Sequence, residues 1–409
     1  MKIHLISYSD LIGGASRATL RLHLALLNKK VDSSLIVEKS ISEFPSIISP
    51  KGRFNKILHD LRPYFSLLPE FILLKKRSPT IVSPAILPSR LLNKLKNSNC
   101  DIVNLHWINN EMISISQIGK INKPVVWTLH DMWAFCGMEH YSTDNSWKNG
   151  YGKKTSVKGV DLNAWTWRRK KKYWKKPITI VCPSQWLANC VRQSKLMSNW
   201  PVHVIPNALD TNFWRPINKV VAREALGLDF KNGPIILFGA LGGTSDPRKG
   251  FEIMKNALID AKNNLVDSTI IIFGGEGNLT EILKGFNIIN FGHISDDYLL
   301  RLIYSAADLM VIPSLLEAFG QTGSEAQSCG TPVIAFNNSG LVDVVLNNIT
   351  GKLVNPNFQD LSIGICQLIA DNENLIQMGL NARKHALNSW SYDVVADKYI
   401  SLYRTILNN

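Results

Sequence analysis

The chain has 409 residues, 45% of them hydrophobic, and a formal net charge of +14. Such a length is more than one small core needs and predicts two domains of a soluble globular enzyme. The six cysteines (Cys100, Cys136, Cys182, Cys190, Cys329, Cys366) form no C-x-x-C pair and sit largely in apolar runs, as reduced thiols in a reducing cytosol do. The opening MKIHLISY is too short an apolar run for a signal peptide, and no stretch reaches the roughly 18 to 20 apolar residues that span a bilayer.

Lys2 to Ser7 reads as a buried strand, Gly13 and Gly14 as a tight turn, and Ser16 as the cap of a helix to about Asn28 with Ala18, Leu22, Ala25 and Leu26 inward. Strand, glycine turn and helix can cradle a phosphate, and the same order also serves purely structural turns. Short apolar runs follow at Ser34–Val37, Asp101–His106, Pro124–Leu129, Ile178–Cys182 and Val202–Ile205, separated by helical or irregular segments. That alternation predicts a parallel sheet covered by helices.

Pro206, Asn207 and the FWRP of 213–216 punctuate the end of this half. The pattern then restarts, with strands expected at Pro234–Phe238, Ser268–Phe273, Ile288–Phe291, Leu309–Ile312, Val333–Phe336 and Lys352–Val354. Ser324 to Cys329 reads as a short helix stopped by Gly330 and Pro332, and Asp371 to Asn409 as helices without strands.

Several strand ends carry residue types suited to an anionic ligand. GALGGTSDPRKG (239–250) follows a strand and sets Arg248 and Lys249 just before a helix, whose positive end two cations oppose unless a pyrophosphate offsets them. FGGEGN (273–278) and Gly292-His293 are further turns after strands. Glu317 and Glu325 flank the turn that contains Phe319, Gly320 and Gln321, where unpaired amides of a helix start point at an anion. In the first half, His130 and Asp131 end one strand and His106 another; either histidine is placed to touch a substrate or to be a structural hydrogen-bonder.

The basic excess is concentrated. Lys148 to Lys176 holds eleven basic residues against one acid, and its WTWRRKKKYWKK interleaves Trp165, Trp167, Tyr173 and Trp174 with seven cations, a pattern suited to anionic lipid headgroups. A plain solvated helix face is the alternative, and nucleic acid a partner the same cations allow but not the one expected. Residues 51–77 mix apolar residues with basic ends and offer a second face for a membrane.

Taken together these residues resemble the retaining, nucleotide-sugar-dependent glycosyltransferases of the GT-B fold, family 4 (glycosyl transferases group 1), nearest its colanic-acid, O-antigen and exopolysaccharide members. The resemblance covers nearly the whole chain: GGA near the start, DIVNLHW, TLHDMWAFCG, CPSQWL, IPNALD, DPRKG, GHIS and, most specific of all, the EAFG-x4-EA-x3-GTPVI frame that begins at Glu317. It implies an α/β GT-B fold of two Rossmann-like domains with parallel sheets facing across a cleft. The expected boundaries are an acceptor-side domain at 1–213, a nucleotide-sugar-binding domain at 214–388, and a helix at 389–409 crossing back to the first domain.

The same resemblance implies roles. Glu325 binds the ribose hydroxyls, Glu317 lies against the donor sugar, and Arg248 and Lys249 neutralise the diphosphate with help from Phe319, Gly320, Gln321 and the Gly13-Gly14 turn. Gly275 and His293 border the base, and His130 sits beside the sugar at the reacting face. The implied reaction is transfer of a hexose, with retention, from a nucleotide diphosphate sugar to a lipid-linked or oligosaccharide acceptor, the leaving phosphate helping to deprotonate the acceptor. No metal or other cofactor is expected, and the implied location is cytoplasmic, peripheral on the inner face of the plasma membrane.

Three positions depart from the family pattern. Ala240 stands where an arginine is usual, no cysteine cluster follows TLHDMW, and Ala208 replaces the glycine of the I-P-N-G motif. The first keeps open a catalytically silent GT-B subunit, and a nucleotide-sugar 2-epimerase of similar fold is the other alternative.

Overall fold

The computed structural model describes residues 1–50, 61–64, 81–152, 161–228, 233–240, 242–275, 283 and 285–408. The proposed membrane face at 51–77 therefore lies, except for 61–64, outside the described residues. Two compact units divide the chain: Met1–Ala208 with Val395–Asn409, and Leu209–Val394.

The first unit is built on a seven-stranded sheet in which all the strand pairings are parallel. Its strands are β1 (Lys2–Ser9), β2 (Asp32–Lys39), β3 (Ile47–Ile48), β4 (Ile102–Leu105), β5 (Val125–Thr128), β6 (Thr179–Cys182) and β7 (Val202–Val204), in the spatial order 3-2-1-4-5-6-7. The central strands β1, β4, β5 and β6 are almost wholly buried, as strands covered by helices on both faces must be, and this is why they read as near-continuous apolar runs. The two-residue β3 carries too little pattern to be legible; it exists because Leu35 and Ile36 offer it a ladder.

The second unit repeats the plan with β8 (Ile235–Gly239), β9 (Thr269–Phe273), β10 (Asn287–Asn290), β11 (Leu309–Ile312), β12 (Val333–Phe336) and β13 (Gly351–Val354), ordered 10-9-8-11-12-13 and all parallel. One core lies on each face of this sheet: Leu237, Met310, Val333 and Ala335 pack with Tyr304 and Trp390, and Ile236, Val311, Ile334 and Phe336 pack with Met254, Leu258 and Leu361. The alternation of side chains along each strand supplies the two sets.

Three element ends differ from expectation. The first helix starts at Gly13, three residues before the expected cap Ser16, which is itself buried. The helix of the glutamate loop is Gln321–Ser328 rather than Ser324–Cys329, because Gly320 at φ +94° turns the chain straight from loop into helix. At the chain end, helix Asn372–Trp390 belongs to the second unit, and only from Val395 does helix Tyr392–Asn408 belong to the first. Trp390 is thus a core residue of the second unit, with its carbonyl accepting from Leu209 N and its ring edge-on to Phe319. The return to the first unit is made by Tyr403, which accepts from Asn104 Nδ2 at 2.7 Å, by Tyr399 with its hydroxyl 3.1 Å from Thr128 Oγ1, and by a Lys29–Asp397 pair at 3.1 Å. The second unit begins at Leu209, since Leu209, Phe213 and Trp214 pack into its core.

Candidate functional site

In an open parallel sheet the crevice for a ligand lies beyond the carboxyl ends of the two central strands from which the order runs in opposite directions. In the second unit those strands are β8 and β11. The loop after β8 carries Asp246, Arg248 and Lys249; the loop after β11 carries Glu317, Phe319 and Gly320. They are bolted together by main chain: Leu315 N donates to Arg248 O at 2.7 Å, and Gly250, at φ +73°, lies against the Pro313 carbonyl so closely that no β-carbon fits. Gly340 N donates to Glu317 O at 2.8 Å, and Asn338 Nδ2 to Leu315 O at 3.1 Å. The result is an ion pair between Lys249 and Glu317, 68 residues apart in sequence, with side chains only 18% and 16% exposed.

Around this pair the other expected residues are distributed unequally. Arg248 is held by Asp246, with Nη2 donating to Oδ2 at 2.6 Å and Nε to Oδ1 at 3.2 Å. Burial lifts the Asp246 carboxyl, but its bonds to Arg248 and the charges of Arg248 and Lys249 outweigh this and hold it below the usual carboxylate range. Gly320 opens helix Gln321–Ser328 with no side-chain cap, so the positive end of that helix abuts the loop. Glu325 lies on this helix, 5% exposed, and accepts from the Tyr304 hydroxyl at 2.9 Å. The Phe319 ring is core, 3% exposed, so any contact it makes with a ligand is main-chain in nature. Gly275 packs against the Thr244 side chain, and His293 is exposed.

The first unit has its own switch, at β1 and β4. Gly13, at φ +83° with open space where a β-carbon would lie, makes the turn after β1. His106 follows β4 and His130 follows β5; His106 Nδ1 lies 3.0 Å from His130 Nε2, the rings stacked at 5.3 Å. Burial pulls both below the ordinary histidine value, His130 to about 4 with the Asp131 charge acting against the shift. A small pocket beside them is lined by Trp107, Asn109, Trp127 and Asp131.

Asp131 ties the loop that follows. It accepts from Trp107 Nε1 and Trp133 N, both at 2.9 Å, and from His140 Nδ1 at 2.6 Å, while His140 Nε2 lies 2.8 Å from Ser83 Oγ. Serine, histidine and aspartate stand in the order of a nucleophilic triad, yet Ser83 and His140 are 2% and 4% exposed, so the arrangement braces the loop instead. Lys170 fills the loop from within, fully buried. It donates to the carbonyls of Trp133, Cys136 (3.1 Å) and Gly137 (2.7 Å) and lies 3.8 Å over the Trp133 ring. Burial pulls its ammonium below the ordinary lysine value, against the opposing charges of Glu139 and Asp131.

That placement corrects the basic-aromatic reading of 148–176. Lys170, Trp167 and Trp174 are core, and residues 153–160 lie outside the described set. What remains outward on helix Leu162–Tyr173 and just after it is Trp165, 38% exposed, with Arg168, Lys171, Lys172, Lys175 and Lys176. Among the described residues no group of three or more His, Cys, Asp or Glu is arranged to hold a metal ion, and no helix is long and apolar enough to cross a membrane. Two site residues escaped sequence reasoning. Asp246 was legible as an acid two residues before Arg248; Tyr304 gave no signal, since only the fold brings its hydroxyl to Glu325.

Two Rossmann-like parallel sheets of seven and six strands, each with polar residues at its switch, define the class as GT-B. Residues 12–213 match the family model Glycosyltransferase Family 4 and residues 231–385 match Glycosyl transferases group 1. Between them the matches take in most of the chain, which belongs to the family 4 type of GT-B glycosyltransferases. A D-inositol 3-phosphate glycosyltransferase from Segniliparus rotundus is 30% identical over 218 residues, 50% of this chain and 47% of that protein, so the match spans about half the relative's length. Among solved structures, Anabaena HepE in complex with UDP and glucose is similar with a TM-score of 0.69 at 16% identity, covering 99% of this chain and 100% of that one. WaaG, a glycosyltransferase involved in lipopolysaccharide biosynthesis, is similar at 0.66 and 13%, covering 98% and 99%. At such identities the two structures bear on the fold alone.

Proposed function

We propose that the protein transfers a hexose, with retention and without a metal, from a nucleotide diphosphate sugar to a lipid-linked or oligosaccharide acceptor in bacterial surface-polysaccharide assembly. The observation that carries this is the Lys249–Glu317 pair at the β8/β11 switch beside the uncapped start of helix Gln321–Ser328. Breaking a glycosyl phosphate bond puts negative charge on the diphosphate and positive charge on the sugar ring. Fixed cations and amides at the leaving group are then the largest catalytic term. In this reading Lys249, Arg248 and the amides near Gly320 and Gln321 receive the diphosphate, Glu325 the ribose, and Glu317 the sugar. His130 meets the transferred sugar, Gly13 and Gly14 approach the phosphates, and Gly275 and His293 border the base. The sugar chemistry of the inositol-phosphate relative and the UDP and glucose of HepE make UDP-glucose the first donor to test.

Thermal-shift measurements with UDP, GDP and ADP report which nucleotide the native state binds, because a ligand bound only to that state raises the melting temperature. A donor panel with lipid-linked acceptor then reads transfer. No transfer from any donor, with Lys249→Ala and Glu317→Ala indistinguishable from wild type in cells, sinks the proposal. Ala240 and the hold of Asp246 on Arg248 favour a second reading, a subunit that binds nucleotide without turnover. Nucleotide binding with an inert donor panel is its signature.

A further inference from the structure

The two histidines at the ends of β4 and β5 leave one nitrogen unaccounted for. His106 Nδ1 and His130 Nε2 are 3.0 Å apart, and His106 Nε2 is buried without a hydrogen-bond partner among the described residues. A neutral imidazole has one donor and one acceptor nitrogen, so the pair has two possible proton arrangements. If His130 donates from Nε2, His106 accepts at Nδ1 and must carry its own proton on the orphaned Nε2. If His106 donates from Nδ1, its orphaned Nε2 is a bare acceptor. A buried N–H with no acceptor is the rarer and costlier defect, because an unsatisfied donor loses its whole hydration without return.

We infer that His106 is a positioning residue that fixes the tautomer of His130: its Nδ1–H donates to His130 Nε2, so that His130 presents Nδ1–H to a substrate oxygen. The inference rests on the proposal that His130 meets the transferred sugar. His106 is well held for the task. Its amide donates to Ile6 O at 2.9 Å and its carbonyl accepts from Trp127 Nε1 at 3.2 Å, and its side chain is 3% exposed. Burial keeps both rings neutral near pH 7, the state in which tautomer choice matters. The consequence is chemical: His130 acts as a hydrogen-bond donor and takes no proton from the acceptor hydroxyl. Its complement is a hydroxyl or ring oxygen of the sugar, and a deoxy donor lacking that oxygen is discriminated against.

Long-range proton–nitrogen NMR of the whole chain with labelled histidine reads the tautomer directly. The expected spectrum near neutral pH has His130 and His106 each protonated at Nδ1 and unprotonated at Nε2. His106→Phe keeps a ring but loses the donor; it should release His130 toward the Nε2–H form and lower kcat about tenfold, with donor KM within about twofold. His106→Asn, whose amide reaches the place of Nδ1, should restore most of the turnover. A wild-type His130 protonated at Nε2 overturns the inference with no variant needed, and so does an unchanged His130 tautomer in a His106→Phe variant whose circular dichroism and melting match the wild type. The expected spectrum together with unimpaired transfer by His130→Ala overturns instead the placement of His130 at the sugar.

Discussion

Replacing Gly250 with alanine tests whether the meeting of Lys249 with Glu317 depends on the close approach of two loops. Gly250 sits at φ +73° at the start of helix Phe251–Ala261, and a β-carbon there would lie 2.8 Å from the Pro313 carbonyl carbon and closer still to its oxygen. Left-handed backbone costs a non-glycine residue about 1–2 kcal/mol, and forcing atoms into a closed space about 1–3 kcal/mol. Together they predict a loss of about 2–5 kcal/mol, concentrated in the bolt formed by Arg248 O and Leu315 N. Gly13→Ala is the control, since Gly13 has φ +83° but open space around it. It should lose only the backbone part, about 1–2 kcal/mol. Urea denaturation measures both losses, and the thermal shift given by the bound nucleotide should shrink in Gly250→Ala. Equal losses in the two variants, or a loss below about 1 kcal/mol for Gly250→Ala, would refute the reasoning that the Pro313 carbonyl sets the geometry.

Other outcomes follow from single contacts. Tyr304→Phe removes the hydroxyl donor from the buried Glu325 and should cost about 1–3 kcal/mol in urea denaturation. Glu325→Gln should weaken donor binding, by calorimetry, more than it lowers turnover; a large turnover loss at unchanged donor affinity contradicts its ribose role. Buried between the hydroxyls of Ser33 and Ser46, each 2.8 Å away, His23 is pulled by burial to about 4. The unfolded chain then binds more protons between pH 4 and 6.5, so stability rises with pH through that window and is lost as pH falls through it. The loss amounts to at most about 3 kcal/mol, and His23→Gln should flatten the melting-temperature profile there. Charge reversal at Lys171 and Lys172 with Trp165→Ala should reduce salt-sensitive sedimentation with anionic vesicles and have no counterpart on zwitterionic vesicles.

Local signals were enough to locate every strand except the two-residue β3. The runs at Leu309–Ile312 and Val333–Phe336 have the bounds the structure shows, because a strand buried on both faces must be apolar at every position, and Pro313 ends the first while Pro332 precedes the second. The glutamate frame and DPRKG were legible as short motifs through their resemblance to the family; the close loop approach that Gly250 makes to Pro313 was not. The division of labour among chemically identical side chains was not legible. Sequence shows a row of lysines and tryptophans in 165–176; only the fold decides that Lys170 turns inward to three carbonyls with Trp167 and Trp174, while Trp165 and Lys171 face out. Nor does it show that Lys249 meets Glu317, that Tyr304 meets Glu325, or that His106 and His130 share one hydrogen bond. Element identity is set by neighbours within a few residues along the chain. A pairing across 21 to 68 residues exists only once the parallel sheet brings the ends of its strands side by side.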